Sequence, residues 1–444
     1  MLRRPVPVIV VAQLFGTSLW FSVNSAADDL VHNWGIAPSA IGALTNAVQA
    51  GFILGTLTFA LTGLADRFPA SRIFAFCAAL GAIFNGAFAL LADGMSSGVP
   101  LRFAVGVCLA GVYPLGMKLV VSWVPQQAGA ALSLLVGMLT LGTALPHGVR
   151  LSGLGTSWQA TIGVSSALAL AGALMVLWLG DGPHFKRRLG APALRLGQVL
   201  QAFSVPAFRA SALGYFGHMW ELYAMWTLVP SLVVLSGLAG TGTAAQSGLS
   251  FAVIGIGAIG CMAGGWWSQR IGSARVAATA LVVSALCCMV YPVSTAWSAW
   301  AAGGLLLVWG GAVVADSPHF SALSARACPP EVLGSALALQ NAIGFAITMV
   351  SIHLGTRELG DWGAHIAWLL LPGPLLGLVG LYPLWRGRSI GGRRSSMMPT
   401  GTGRCCRRQG RSHAFFNFIS SMSSTLSRAT TRARANAIGY PEAG

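Results

Sequence analysis

Runs of about twenty apolar residues recur along this 444-residue chain. Each run is long enough to cross a hydrocarbon core roughly 30 Å thick. In such a core every backbone N–H and C=O must find an internal partner, so repeated runs of this length imply helices rather than strands. Composition agrees: 55% of residues are hydrophobic and only 9% are charged, against about 25% charged in soluble domains. The 57 glycines suit helices whose backbones approach closely.

Twelve spans are predicted: 5–27, 40–64, 73–92, 100–123, 128–149, 158–180, 210–236, 246–267, 275–296, 298–317, 331–354 and 364–385. Orientation follows from the Lys and Arg content of the short loops. With the N-terminus inside, the inner segments before the tail hold Arg3, Arg4, Arg67, Arg72, Lys186, Arg187, Arg188, Arg195, Arg209, Arg270, Arg275 and Arg326. The outer edges hold only Arg102, Arg150 and Arg357. Both termini are therefore expected in the cytoplasm, with the chain in a bacterial inner membrane. The first run is long enough to stay as a helix rather than be removed as a signal peptide.

The net charge of +16 divides unevenly. Eleven of the 27 basic residues lie from Arg386 onward with one acid, Glu442, so the tail supplies +10 and the body +6. A basic balance of this kind records membrane topology, and no nucleic-acid partner is expected. The segment 387–444 is polar, basic and breaker-rich, and is expected to be disordered in the cytoplasm. Its AFFNFISSMSSTLSRATTRAR stretch reads either as a weak basic amphipathic helix on anionic lipid or as a non-native, frameshifted end. Cys77, Cys108, Cys261, Cys287 and Cys288 lie inside apolar runs as small hydrophobes. Cys405 and Cys406 lack zinc-site spacing.

The longest internal polar stretch separates spans six and seven. It divides the chain into an N-terminal six-helix half (1–180), a cytoplasmic linker (181–209) and a C-terminal half (210–386). An internal repeat supports the division. Thr62-Gly-Leu-Ala-Asp66-Arg67-Phe-Pro69-Ala-Ser-Arg72 follows span two, and Gly265-Trp-Trp-Ser-Gln269-Arg270-Ile-Gly272-Ser-Ala-Arg275 follows span eight. Both arginines and the polar residue before the first recur at an offset of 203. Parallel halves of this kind are a transporter design.

These loops resemble the signature of the major facilitator superfamily. The first copy has Thr62 and Pro69 where glycines are usual, and the second has Gln269 in place of the acid. The resemblance implies an all-α membrane protein of twelve helices in two six-helix halves. It also implies that Asp66, Arg67, Arg72, Gln269, Arg270 and Arg275 act in gating. Plain topology determination would by itself account for Arg67 and Arg72. Span four, from Leu101-Arg102 through Gly106, Gly111, Tyr113 and Pro114 to Lys118, is similar to the superfamily's Arg-and-glycine pattern and, more loosely, to the cyanate- and nitrate-type branch. Nitrate carriers of that branch use arginines inside spans two and eight. Neither span has one here, which argues against nitrate.

Ionisable groups within the membrane are expensive, about 2.5–3.5 kcal/mol each on insertion scales. Glu221 lies twelve residues past Arg209, about 18 Å along the helix axis and close to the midplane. His218 precedes it by three residues on the same face. The two read as a proton-coupling or substrate-binding pair, or alternatively as a structural Glu paired with a neighbouring arginine. Arg102 and Lys118 point about 160° apart, while Tyr113 lies within about 20° of Arg102. Arg102 and Lys118 each read as a cavity residue or as an interface anchor. Asp316 falls at the Tyr113 position under the 203-residue offset and reads as a gate contact or a coupling group. Gln13, Trp20 and Asn24 of span one, with Asn46 and Gln49 of span two, either line a cavity or bond helix to helix.

Gly255-Ile-Gly257-Ala-Ile-Gly260 fits a dinucleotide fingerprint but lies inside a membrane span without the strand that fingerprint needs. No phosphate-loop, zinc-protease or nucleophile-elbow motif occurs. The chain is therefore expected to be no enzyme and to hold no cofactor or metal. It is expected to act as a monomer carrying a small neutral or singly charged solute, driven by the proton gradient. The alternative is a sensor of the same fold that binds without transporting.

Overall fold

Because an apolar solvent leaves the backbone no outside partner, the hydrophobic runs resolve into helices. The computed structural model describes residues 5–153, 157–185, 196–238, 242–329 and 332–386, all within one compact unit, Met1–Ile390. Every element among them is helical. In chain order these are α1 (Pro5–Thr17), α2 (Ala27–Trp34), α3 (Ala40–Thr62), α4 (Leu64–Arg67), α5 (Ala70–Leu91), α6 (Met95–Leu109), α7 (Tyr113–Trp123), α8 (Ala128–Leu151) and α9 (Trp158–Leu179). They continue as α10 (Leu196–Ala202), α11 (Pro206–Leu235), α12 (Thr243–Ile271), α13 (Ser273–Ser294), α14 (Ala299–Ala315), α15 (Ser317–Ala327), α16 (Leu333–Trp362), α17 (Ile366–Leu370) and α18 (Pro372–Trp385). Nine helical stretches among the described residues are long and apolar enough to cross a bilayer. The predicted tail 387–444 and the basic linker stretch 186–195 lie outside the described residues.

Three predicted spans are interrupted, and span ten ends where its helix breaks. The breaks in span four, at the end of span ten and in span twelve lie just ahead of Pro114, Pro318 and Pro372, each at the first or second position of the new helix. Proline has no N–H to continue the ladder, and its ring clashes with the preceding turn. The breaks at residues 110–112 and at Asp316 fall within a few residues of the 203-residue offset of the loop repeat. Span one has no such proline and instead stops at Thr17. There Thr17 Oγ1 donates to the Gln13 carbonyl at 2.8 Å and Ser18 Oγ to the Phe15 carbonyl at 2.7 Å. Such side-chain bonds compete with the helical ladder.

The surface is apolar where a soluble protein would be polar. Along α5, Phe76, Ile83 and Leu90 recur every seven residues as one exposed stripe, with Leu90 82% exposed. α9 and α18 carry similar stripes, through Leu174, Leu177 and Trp178, and Leu376 and Val379. Lipid tails, not water, match such faces.

Small residues set the inner packing. Gly51 of α3 lies against the Phe103 carbonyl, and Gly106 of α6 lies against the Val48 carbonyl, so a Cβ at either would strike partner backbone. Two seams join the predicted halves. On one, α3 meets α16, where Asn46 Nδ2 donates to the Met349 carbonyl at 3.0 Å. On the other, α8 meets α12, with Gly148 packed on the Phe251 ring and Gly265 on Ser133. The linker includes α10, whose Val199 and Ala202 join Phe208, Ala212, Cys328 and Ala336 in a satellite apolar cluster.

Candidate functional site

Where α1 stops, the chain turns through residues 18–23 and delivers Trp20 and Phe21 to the centre of the molecule. Phe52 from α3, Tyr223 and Trp226 from α11, and Phe345 from α16 meet them there. Trp20 stacks on Phe345 (centroids 5.7 Å, 19° between planes) and on Tyr223 (5.6 Å, 29°). Phe52 lies 4.9 Å from Trp20 and 4.4 Å from Phe345. Phe21 meets Trp226 edge-on at 6.0 Å. All six rings are buried. The cluster thus draws rings from both predicted halves.

The predicted polar stripe reaches these rings through Gln49. Trp20 Nε1 donates to Gln49 Oε1 at 3.2 Å, and Asn24 Nδ2 donates to Thr45 Oγ1 at 2.9 Å. Gln49 Nε2, Asn24 Oδ1 and Trp226 Nε1 are buried without a hydrogen-bond partner.

Arg102 sits behind this turn, and the structure corrects its reading as an interface anchor. α6 starts at Met95, so Arg102 lies about 10 Å into the helix and is fully buried. Its Nη1 donates to the Leu19 carbonyl (3.1 Å), Ser22 Oγ (3.3 Å) and Asn85 Oδ1 (2.9 Å), and its Nη2 donates to the Trp20 carbonyl (2.6 Å). The guanidinium therefore caps carbonyls that the broken helix leaves open, which is what lets irregular backbone lie inside an apolar phase. Asn85 of α5 completes the grip, its Nδ2 donating to Ser166 Oγ and the Ile162 carbonyl. Sequence reasoning passed over Asn85, although an asparagine in the apolar run GAIFNGAF is a legible signal.

Tyr113 opens α7 and is half-buried. Lys118 lies outside the ring cluster and is partly exposed: its Nζ meets Asp66 Oδ1 at 2.6 Å, bonds the Ala65 carbonyl and lies 5.1 Å from the Phe185 ring centroid. Asp66 is thus tied within its own half. Arg67, Arg72, Gln269, Arg270 and Arg275 are exposed, and Arg270 stacks over the Trp266 ring at 4.4 Å. Among the described residues none of these four arginines makes an ion pair.

The predicted His218–Glu221 pair is not formed. His218 Nδ1 instead lies 2.8 Å from Asp316 Oδ1, both residues 1% exposed. This is an ion-pair distance approached off the hydrogen-bond axis. Asp316 occupies the break between α14 and α15, and buried His319 follows one turn later. Glu221 turns to other neighbours: Ser284 Oγ at 2.5 Å, Trp309 Nε1 at 2.6 Å and Cys288 Sγ at 3.4 Å all donate to its Oε1. No arginine partners it among the described residues. On the predicted outer side Arg150 pairs with Asp29 at 2.8 Å and donates to the Ser25 carbonyl, an arrangement the sequence did not suggest.

A helical bundle with a lipid-facing surface, an aromatic centre fed from both ends of the chain and buried ionisable groups beside it defines a multi-pass membrane carrier. The family model of the Major Facilitator Superfamily matches residues 9–352, and the chain belongs to that family. It is accordingly a solute transporter and not an enzyme. Two solved structures share the fold. The human organic anion transporter MFSD10 (TETRAN) aligns with a TM-score of 0.62 at 15% identity, covering 86% of this chain and 98% of its own. A D-xylose–proton symporter aligns with a TM-score of 0.68 at 15% identity, covering 86% and 96%. No curated protein matches by sequence.

Proposed function

We propose that this member of the family is a secondary active transporter that moves a small solute across a bacterial inner membrane, coupled to the proton gradient. Twelve passes in two six-helix halves would rock about the aromatic centre, with both termini cytoplasmic and the protein working as a monomer without a cofactor. The arginine bias of the loops supports that orientation. Within the family, the span-four pattern from Arg102 to Lys118 supports a loose placement near the cyanate- and nitrate-type branch.

The observation that carries the coupling is the buried His218–Asp316 contact at the break between α14 and α15. An imidazole and a carboxylate held together out of water form a group whose proton occupancy changes its net charge. Placed at a helix break, that change bears on packing that differs between two states. Glu221, buried one turn along α11, is a second carboxylate in the same half. The D-xylose–proton symporter shows that proton coupling occurs on this fold.

The test is flux in proteoliposomes with and without an imposed pH gradient, using a solute first found by thermal stabilisation of the purified chain. Accumulation that follows the gradient supports the proposal. Binding without any flux would instead identify a sensor, and flux indifferent to the gradient would remove the coupling.

A further inference from the structure

We propose that the six-ring cluster is the solute site and that its solute is an uncharged, planar aromatic molecule bearing an amide-like group. This rests on the transporter reading above and deepens it by naming the solute class. Three independent features of the cluster carry it.

The first is the geometry of the rings. Trp20 faces Phe345 and Tyr223 within 30° of coplanarity at centroid separations near 5.7 Å. Trp20 belongs to the predicted N-terminal half, and Phe345 and Tyr223 belong to the C-terminal half. When the halves separate, these faces part and lose their stacking. A flat ring entering between them restores offset stacking on both sides, whereas a puckered or branched solute does not.

The second is the set of unused polar atoms. Gln49 Nε2 and Trp226 Nε1 are donors without an acceptor, and Asn24 Oδ1 is an acceptor without a donor. All three residues are at most 2% exposed. Buried polar groups ordinarily have partners, so a site that leaves both kinds open suits a ligand carrying a carbonyl and an N–H. An amide or lactam on an aromatic ring supplies both.

The third is charge. Among the described residues no cation stacks on any of the six rings. Arg102, adjacent to Trp20, directs its Nη1 and Nη2 donors to Leu19, Trp20, Ser22 and Asn85, and its Nε is buried without a partner. Glu221 is engaged by Ser284 and Trp309. A cationic solute would therefore be stripped of water with no free carboxylate to meet it, and an anion would find only a guanidinium already bound to four neutral acceptors.

The experiment is equilibrium binding to the full chain in detergent, read by tryptophan fluorescence quenching. The probes are nicotinamide and benzamide, the anions nicotinate and benzoate, the cation 1-methylnicotinamide (methylated on the ring nitrogen), and the non-planar isostere cyclohexanecarboxamide. The two neutral aromatic amides should bind at least about tenfold more tightly than the other four. Phe345→Leu should weaken nicotinamide about three- to tenfold, and Gln49→Leu should erase the preference for benzamide over methyl benzoate, added as a further probe, each read at a temperature well below that variant's own melting midpoint. Equal or tighter binding of the acid, the cation or the cyclohexane probe overturns the proposal, as does failure of every aromatic amide to bind. A Gln246→Cys thiol reporter on the predicted outer side separates the two readings. A reporter that opens and closes in a protein blind to aromatic amides overturns the solute class alone. A reporter that never becomes accessible overturns the transporter reading and this inference with it.

Discussion

Arg102 Nη2 donates to the carbonyl of Trp20 at 2.6 Å, so a buried cation on α6 holds the residue whose ring stacks on Tyr223 and Phe345 from the other end of the chain. The cost of burying the charge is offset by four acceptors: two carbonyls and the Ser22 hydroxyl on a stretch that has left its helix, and the Asn85 amide oxygen of α5. Nothing anionic is needed: the cation meets carbonyl, amide and hydroxyl dipoles instead.

Replacing that cation tests the grip. Arg102→Met leaves the Leu19 and Trp20 carbonyls and Asn85 Oδ1 without their donor. Hydrogen bonds to charged groups contribute about 1.5–3 kcal/mol each, so a loss of at least about 3 kcal/mol is expected, visible as a lowered melting midpoint in detergent. Arg102→Lys, with its charge kept but its fork lost, should fall between the two. Wild-type stability in Arg102→Met would show that the turn at residues 18–23 holds itself.

Two carboxylates compete for the coupling role, and they can be separated. A Gln at position 221 can still accept from Ser284 and Trp309, so Glu221→Gln should insert and fold. The same holds for Asp316→Asn beside His218. Each variant is expected to retain solute exchange while losing gradient-driven accumulation by at least about tenfold. Undiminished accumulation in either would remove that carboxylate from the proton path.

The Asp66–Lys118 pair is partly exposed, with side chains 44% and 29% accessible. Water screens it accordingly, and a double-mutant cycle on unfolding free energy should return only about 0.5–1 kcal/mol. A coupling of several kcal/mol would mean that the loop after α3 is packed far more tightly than the structure shows.

Gly260 explains the fingerprint-like run in α12. A Cβ there would strike the Gly311 carbonyl of α14, so Gly260→Val should destabilise by about 1–3 kcal/mol through overpacking. Gly304, with nothing within 4 Å of its Cβ position, serves as the control: Gly304→Ala should leave the midpoint unchanged or raised. Equal effects at the two positions would refute the packing account.

Much of the fold was legible because membrane helices are governed by local rules. Span ends fall within a few residues of several helices, as with 40–64 against Ala40–Thr62 and 158–180 against Trp158–Leu179. The interruptions ahead of Pro114, Pro318 and Pro372 could not have been read from proline alone, since Pro100, Pro146, Pro230, Pro292 and Pro383 lie inside continuous helices. Nor could the break after Thr17, which depends on Arg102 and Asn85 arriving from other helices. Of the site, Trp20, Gln49 and Asn24 were picked out as a polar and aromatic stripe. Phe52, Tyr223, Trp226 and Phe345 were not, because an aromatic residue in an apolar run looks the same whether it faces lipid or the centre.

What the sequence determined by itself was the chain's solvent and its secondary structure: runs of that length and apolarity have no stable alternative to membrane helices, because an unpaired peptide group in hydrocarbon costs several kcal/mol. What only the tertiary structure decided was partnership. His218 and Glu221 are three residues apart on α11 and about 60° apart around its axis. That small angle sends one to Asp316 and the other to Ser284 and Trp309, because the choice of neighbour is set by how helices some sixty to a hundred residues away pack against that face.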